Sequence, residues 1–209
     1  KGERKLNVSD KFSMGFGSDY NYTKGDFQVK GNWGSSAKGH TDNIGIFSNA
    51  GIKLNEETVL SAHLRGDSHK YSQENLTYRL NATKFIDKLT LSLSESTGLR
   101  HPDIFALHGA NPSGSYKSMM TTKPETSLTR ELSVKYDFTN NLSFNSTAYR
   151  GTISDVLNRS TSTNAYNEII DISQEGLESS FIINDDNQKL ILSSVFSKSR
   201  EADGDPQQR

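Results

Sequence analysis

Apolar and polar residues take turns through most of this chain. Phe12, Met14, Phe16, Tyr20 and Tyr22 share one parity, and Ser13, Gly15, Gly17, Asp19 and Asn21 hold the other. Leu76, Tyr78, Leu80 and Ala82 alternate with Asn75, Thr77, Arg79 and Asn81. Leu132, Val134, Tyr136 and Phe138 alternate in the same way with Glu131, Ser133, Lys135 and Asp137. A period of two sends successive side chains to opposite faces of a strand. Helical periodicity is nowhere sustained, so the chain is expected to be all-β, with about ten antiparallel strands.

The connections fall into two kinds. Short turns are expected at Lys24-Gly25, Asn55-Glu57, Ile86-Lys88, Thr139-Asn141 and Asp185-Gln188. Longer polar loops are expected over 37–42, 67–74, 99–127 and 157–166. Tight turns at one end and long loops at the other are the layout of an outer-membrane barrel. Its tilted strands need roughly 9–11 residues to cross. Only 32% of residues are hydrophobic, thin for a conventional core at 209 residues. A barrel wall needs no such core, because its apolar face meets lipid. Alternation alone also fits a soluble β-sandwich. A net charge of −1 argues against nucleic acid as a partner. The absence of cysteine excludes disulfides and thiolate chemistry. No apolar run is long enough for a membrane-spanning helix.

Specific sequence begins near residue 99. Leu99-Arg100-His101-Pro102 leads into Asp103-Ile104-Phe105-Ala106-Leu107-His108-Gly109, then Asn111-Pro112, then Lys123-Pro124-Glu125-Thr126-Ser127 and a strand carrying Glu131. Tyr149-Arg150-Gly151-Thr152-Ile153-Ser154-Asp155-Val156-Leu157 follows, with Gln174-Glu175-Gly176-Leu177-Glu178 and Ser197-Lys198-Ser199-Arg200-Glu201-Ala202-Asp203-Gly204 beyond it. These segments resemble, in order, the "FRAP…LYG", "NPNLKPE", "YRNDISDLI", "RGVE" and "YSKARDADG" segments of TonB-dependent outer-membrane receptors. Arg100, Pro102, Asn111, Pro112, Lys123, Pro124, Glu125, Glu131, Gly176 and Glu178 carry the match. Leu99 and His101 stand where the family has Phe and Ala. The resemblance implies that residues 1–209 are part of a 22-stranded barrel domain, the N-terminal plug and C-terminal strands being absent. It implies outer-membrane lipid, the chain's own plug and the inner-membrane TonB complex as partners, the last through a TonB box outside this chain. The location implied is the outer membrane of a Gram-negative bacterium, with short turns periplasmic and long loops extracellular. The function implied is energised uptake of a scarce ligand such as a ferric siderophore, cobalamin or haem.

Three sets of side chains are candidates for chemistry. His101, His108 and Tyr116 lie in the longest loop and could contact ligand; an imidazole such as that of His108 can also ligate haem iron. Glu201, Asp203 and Asp205 are spaced carboxylates of a kind that suits a hard cation. Lys30, Arg79, Glu131 and Lys135 line the polar parity, where a barrel lumen would be. There is no HExxH and no GxSxG, so no catalytic residue and no resident cofactor are expected. The alternatives are a passive porin, a complete ten-stranded outer-membrane enzyme and a soluble β-sandwich binding module.

Overall fold

The computed structural model describes residues 2–29, 35–110, 123–158, 168–185 and 187–201. Eleven strands and one short helix follow in chain order. They are β1 (Gly2–Asn7), β2 (Phe12–Val29), β3 (Ser35–Lys53), β4 (Thr58–His69), β5 (Asn75–Ile86) and β6 (Leu89–Arg100). Next come α1 (Ile104–His108), β7 (Gly109–Ala110), β8 (Glu125–Asp137), β9 (Leu142–Asn158), β10 (Glu168–Asp185) and β11 (Gln188–Glu201). Ten strands form one sheet in the order β1-β2-β3-β4-β5-β6-β8-β9-β10-β11. Each is antiparallel to its neighbour, so the sheet is a run of hairpins. The two-residue β7 pairs with the start of β3. Among the described residues no helix is long and apolar enough to cross a membrane, which leaves crossing by strands open.

The short turns are built from small polar side chains that accept backbone N–H groups, as Asx and Ser/Thr turns do. Ser9 Oγ accepts from the Phe12 N–H at 3.1 Å. Asn55 Oδ1 accepts from the Glu57 N–H at 3.0 Å, and Thr139 Oγ1 from the Leu142 N–H at 3.1 Å. Asp87 takes a φ of 49° in the two-residue Asp87-Lys88 turn, a position open to Asp.

Two expectations fail at the first hairpin. Lys24-Gly25 is no turn: Lys24 lies opposite His40 and Gly25 opposite Gly39, in the middle of long paired strands. The loop expected over 37–42 is likewise within β3. The glycine interrupts the alternation for another reason, which is to leave room for a loop helix that rests on it. The first short turn lies instead between β1, a strand not expected from sequence, and β2.

One face of the sheet is apolar and open. Leu76 is 66% exposed and Phe196 74%, and both belong to that face. The other carries Asn, Ser, Thr, Asp, Arg and His. Buried apolar side chains are few among the described residues: Ala37, Phe47, Leu107 and Ile172. All four are on the polar-face side, and Ala37 and Leu107 gather where the loop after β6 folds back over β2 and β3.

Candidate functional site

The loop end of the polar face is organised from β4. The run Arg65-Gly66-Asp67-Ser68-His69 puts Arg65, Asp67 and His69 on one face by the period of two. Across from them Gly45 has no side chain, and the Arg65 guanidinium lies over the space. Arg65 then makes two forked contacts. Its Nη1 and Nη2 donate to the Asp19 carboxylate at 2.7 and 3.0 Å, and its Nε and Nη2 donate to Asp67 at 2.7 Å each. Asn43 Nδ2 donates to Asp67 Oδ1 at 2.8 Å. The Asp67 side chain is only 5% exposed. Its charge is tolerable there because the fork and the amide satisfy it. This lattice ties β2, β3 and β4 together.

A tier of imidazoles sits above it. His69 Nδ1 accepts from the Tyr71 N–H at 3.3 Å, so its Nε2 carries the proton and donates to Thr41 Oγ1 at 2.5 Å. The His101 ring stacks on His69 with centroids 4.3 Å apart and planes 9° from parallel. Ser72 Oγ lies 2.9 Å from His101 Nδ1. Burial holds the His101 imidazole below its ordinary range; Asp67 pushes the other way and Arg65 adds to the lowering. His101 is therefore neutral at pH 7.

The helix α1 roofs this tier. Asp103 Oδ1 caps it by accepting from the Ala106 N–H at 2.8 Å. Ile104 rests on Gly25, with 3.0 Å from its Cδ1 to where a Cβ would stand. His108 lies so close over Gly39 that any Cβ there would collide with its ring. Tyr71 meets His108 edge-on at 5.3 Å between centroids. Leu107 is fully buried. Among the described residues neither His101 Nε2 nor His108 Nε2, both buried, has a hydrogen-bond partner. Two unpaired imidazole nitrogens under one roof leave hydrogen-bonding capacity unspent, which is costly unless something fills it.

Two of the three expected loop residues, His101 and His108, are thus brought into one cluster. Tyr116 lies outside the described residues, as do Asn111, Pro112 and Lys30. Arg100 and Glu125 face each other in register and form an ion pair at 3.2 Å, joining the two halves of the motif on either side of the loop. Pro102 stands two residues before α1. Pro124 is buried at the foot of β8, and Lys123 reaches Asp155 at 3.9 Å. Asp155 sits in a bulge with a φ of 60°. Glu131 accepts from Ser94 Oγ at 3.0 Å and lies 3.8 Å from Arg79. Lys135 pairs with Asp137 at 2.8 Å. The Tyr149 ring covers Gly176, and Glu178 is exposed on the polar face. Glu201 ends β11, while Asp203 and Asp205 lie outside the described residues. Among the described residues no three His, Asp or Glu side chains converge as a metal site would require. Sequence reasoning missed Asp19, Arg65, Asp67, His69 and Tyr71. The signal was available in part, since Arg65, Asp67 and His69 alternate on the polar parity.

The model of the family described as TonB dependent receptor-like, beta-barrel, matches residues 2–189. No curated protein matches the chain. Several solved structures share its fold. The FrpB iron transporter from Neisseria meningitidis aligns with a TM-score of 0.71 at 14% identity, over 97% of this chain and 36% of that one. A variant of the ferric enterobactin receptor PfeA from Pseudomonas aeruginosa, in complex with enterobactin, aligns at 0.70 and 18%, over 93% and 34%. The siderophore receptor PirA from Acinetobacter baumannii aligns at 0.61 and 14%, over 96% and 39%. The chain therefore spans about a third of the length of the structures it resembles.

Proposed function

We propose a function from one premise: the chain belongs to the TonB dependent receptor-like β-barrel family. That family and the structural neighbours are transport receptors, not enzymes. The chain supplies part of the wall and mouth of an outer-membrane barrel that takes up an iron chelate. Its apolar face meets lipid, its polar face lines the lumen, and its long loops are extracellular. A plug within the lumen and the inner-membrane TonB complex complete the machine. Residues 1–209 are one portion of that barrel domain.

The observation that carries this reading is the roofed imidazole tier at the loop end of the polar face. It lies where an incoming ligand would first meet the lumen, and two of its nitrogens have no partner among the described residues. Iron chelates are favoured as the ligand class because FrpB, PfeA and PirA are, by name, an iron transporter, a ferric enterobactin receptor and a siderophore receptor. The test is growth of an iron-starved strain whose only receptor is the full protein containing this chain, fed ferric catecholates, ferric hydroxamates, haem or cobalamin. Growth on a ferric siderophore that is lost on deleting TonB supports the reading. Rescue by cobalamin or haem alone reassigns the ligand, and rescue that survives TonB deletion overturns energised uptake. His101→Ala and His108→Ala should each weaken ligand binding at least fivefold if the tier is the site.

A further inference from the structure

The lipid-facing wall carries one pair of charges that stands inside its apolar band. Glu95 on β6 and Arg130 on β8 are directly opposite each other, on the same face as Leu93 and Leu132. Cross-strand rows climb one residue per strand. Ala62 is four residues beyond the start of β4, and Glu95, in the same row, is six beyond the start of β6. One residue of rise (about 3.3 Å) per strand spacing (about 4.8 Å) is a tilt of about 35°. At that tilt Glu95 stands about 16 Å above the turn end and Arg130 about 19 Å. The apolar band of such a barrel is about 25 Å tall. Apolar side chains stand higher on both flanks, Leu76 and Ile44 at about 27 and 24 Å on one side and Leu177 and Phe196 at about 22 Å on the other. The pair is therefore within the band and not at its rim. Farther along the row Arg150, Glu175 and Lys198 stand at about 22–27 Å, near the rim, with Glu175 opposite both cations.

The wall satisfies Glu95 but not Arg130. Arg130 Nε donates to Glu95 Oε2 at 2.6 Å, and Tyr78 Oη donates to Glu95 Oε1 at 2.7 Å. Among the described residues the two Nη groups of Arg130 have no partner, and its side chain is 68% exposed. N–H donors turned to hydrocarbon are costly, because lipid offers nothing to accept them. Each Glu95 oxygen still has a lone pair to offer.

The wall beside the pair is hollow on one side and raised on the other. On the β3–β5 side lies a groove of about 600 Å³, lined by Ala50, Ala62 and Ala82 and reaching Glu95 and Arg130. On the β9–β10 side Phe144 and Phe181 meet at 4.8 Å between centroids, and Phe181 is 45% exposed. Phe181 is four residues from the turn end of β10, and Ala62 is four from that of β4, so ring and groove share a height of about 11 Å. β4 and β10 are each the third strand out from the line between β6 and β8. Such a surface is complementary to itself. A two-fold axis along the membrane normal, between β6 and β8, keeps every residue at its height and exchanges the two sides. It sets Glu95 against the partner's Arg130, whose Nη groups then meet the carboxylate. It also sets Phe181 towards the partner's alanine groove. Convex walls diverge away from their line of contact, and the large ring stands where that gap opens.

We propose that the protein forms a two-fold homodimer in the membrane through this wall, with the Glu95–Arg130 pairs of two copies meeting at its centre and Phe181 of each filling the other's alanine groove. The inference rests on the membrane orientation given above, not on the identity of the transported ligand. The test uses the full protein containing this chain in outer membranes, verified as folded by its resistance to SDS before heating. The photoreactive residue p-benzoylphenylalanine replaces Leu93, beside the axis, or Phe16, which is lipid-facing at the same height of about 11 Å but lies on β2, remote from the axis. Illumination should give a product of twice the chain mass from position 93, at least fivefold more than from position 16, with both halves mapping to this protein by peptide mass spectrometry. Glu95→Arg should abolish the product, and adding Arg130→Glu should restore it. Ala62→Phe keeps the wall apolar and should lower the yield at least fivefold by filling the groove. Equal yields from positions 93 and 16, no product from 93, a product with a different protein, or a yield unmoved by Ala62→Phe each overturn the proposal. A protein that cross-links but takes up no iron chelate keeps this interface and loses the transport reading. One that takes up the chelate without cross-linking keeps transport and loses the interface, and one that never enters the membrane loses both.

Discussion

Replacing Gly39 by valine should release the loop helix without harming the strand beneath it. Valine suits a strand, so β3 itself is not weakened. Its side chain, however, occupies the space of the His108 ring. The ring can leave only by lifting α1, and with it Leu107, which is fully buried, and the pairing of Gly109 and Ala110 with Ala37 and Ser36. Burial of one leucine is worth about 1.5–3 kcal/mol and each ladder hydrogen bond a net of about 0.5–1.5. A loss near 3 kcal/mol is taken as the central value, or about a hundredfold in the docking equilibrium. Hydrogen exchange at the Ala106 and Leu107 amides, which bond to Asp103 Oδ1 and the Asp103 carbonyl, reads that equilibrium directly. Their exchange should accelerate by about two orders of magnitude, with no change in β3. Gly66→Ala is the control, because a Cβ at Gly66 meets nothing within 4 Å. Unchanged protection of Ala106 and Leu107 in Gly39→Val would refute the idea that the glycine holds the roof.

Other outcomes follow from the same geometry. Arg65→Met leaves the Asp19 and Asp67 carboxylates facing each other. It should cost about 2–3 kcal/mol in denaturant unfolding, below the value for a fully buried pair because the Arg65 side chain keeps 26% exposure. Adding Asp19→Asn should recover part of that loss. Docking of α1 should weaken on acidification. His101 is held below its ordinary value of 6.5, so between 6.5 and its lowered value the undocked loop takes up a proton that the docked loop refuses. Docking is then complete above pH 7 and is lost as pH falls; the groups facing His101 are His69, Ser72, Asp67 and Arg65. Limited proteolysis of the loop at pH 7.5 and 5.5 checks this, and greater protection at the lower pH would contradict it.

The wall was legible in the sequence and the roof was not. Alternation of the kind seen at Leu76 to Ala82 depends only on which side of a strand meets lipid, so it survives without any knowledge of neighbours. Four of the five expected short turns are found, each marked by local Asn, Asp or Thr chemistry. The first hairpin misled because Gly25 and Gly39 answer to a helix some 65–80 residues away in sequence, and no local pattern can report that. The same holds for the stack of His69 on His101. The sequence puts His69 in a loop over 67–74; β4 runs on through His69, and only the fold-back of the loop after β6 puts it against His101. Arg100 and Glu125 were legible as motif residues. Their pairing across β6 and β8 gives the motif a physical reason.

A sheet with so little buried apolar surface must hold its register by other means. A slip by one residue would turn every apolar side chain to the polar face and is excluded by burial alone. A slip by two keeps the faces and must be resisted differently. Between β2 and β3 the device is a small–large pair: Phe47 lies directly over Gly17, in the space a Cβ would need. Sliding two residues one way sets Phe47 against Asp19, a charge against a ring. Sliding the other way leaves a glycine under Phe47 but carries Asp19 two residues out of reach of Arg65. Each slip therefore forfeits either the cover over Gly17 or the fork on Asp19, and no even shift keeps both. Gly17→Val should accordingly disturb pairing at this hairpin, while Gly66→Ala should not. Distances between spin labels at Asp26 and Lys38, which face each other near the loop end, report the register directly. If Gly17→Val leaves that distance and its spread unchanged, the small–large pair is not what sets the register.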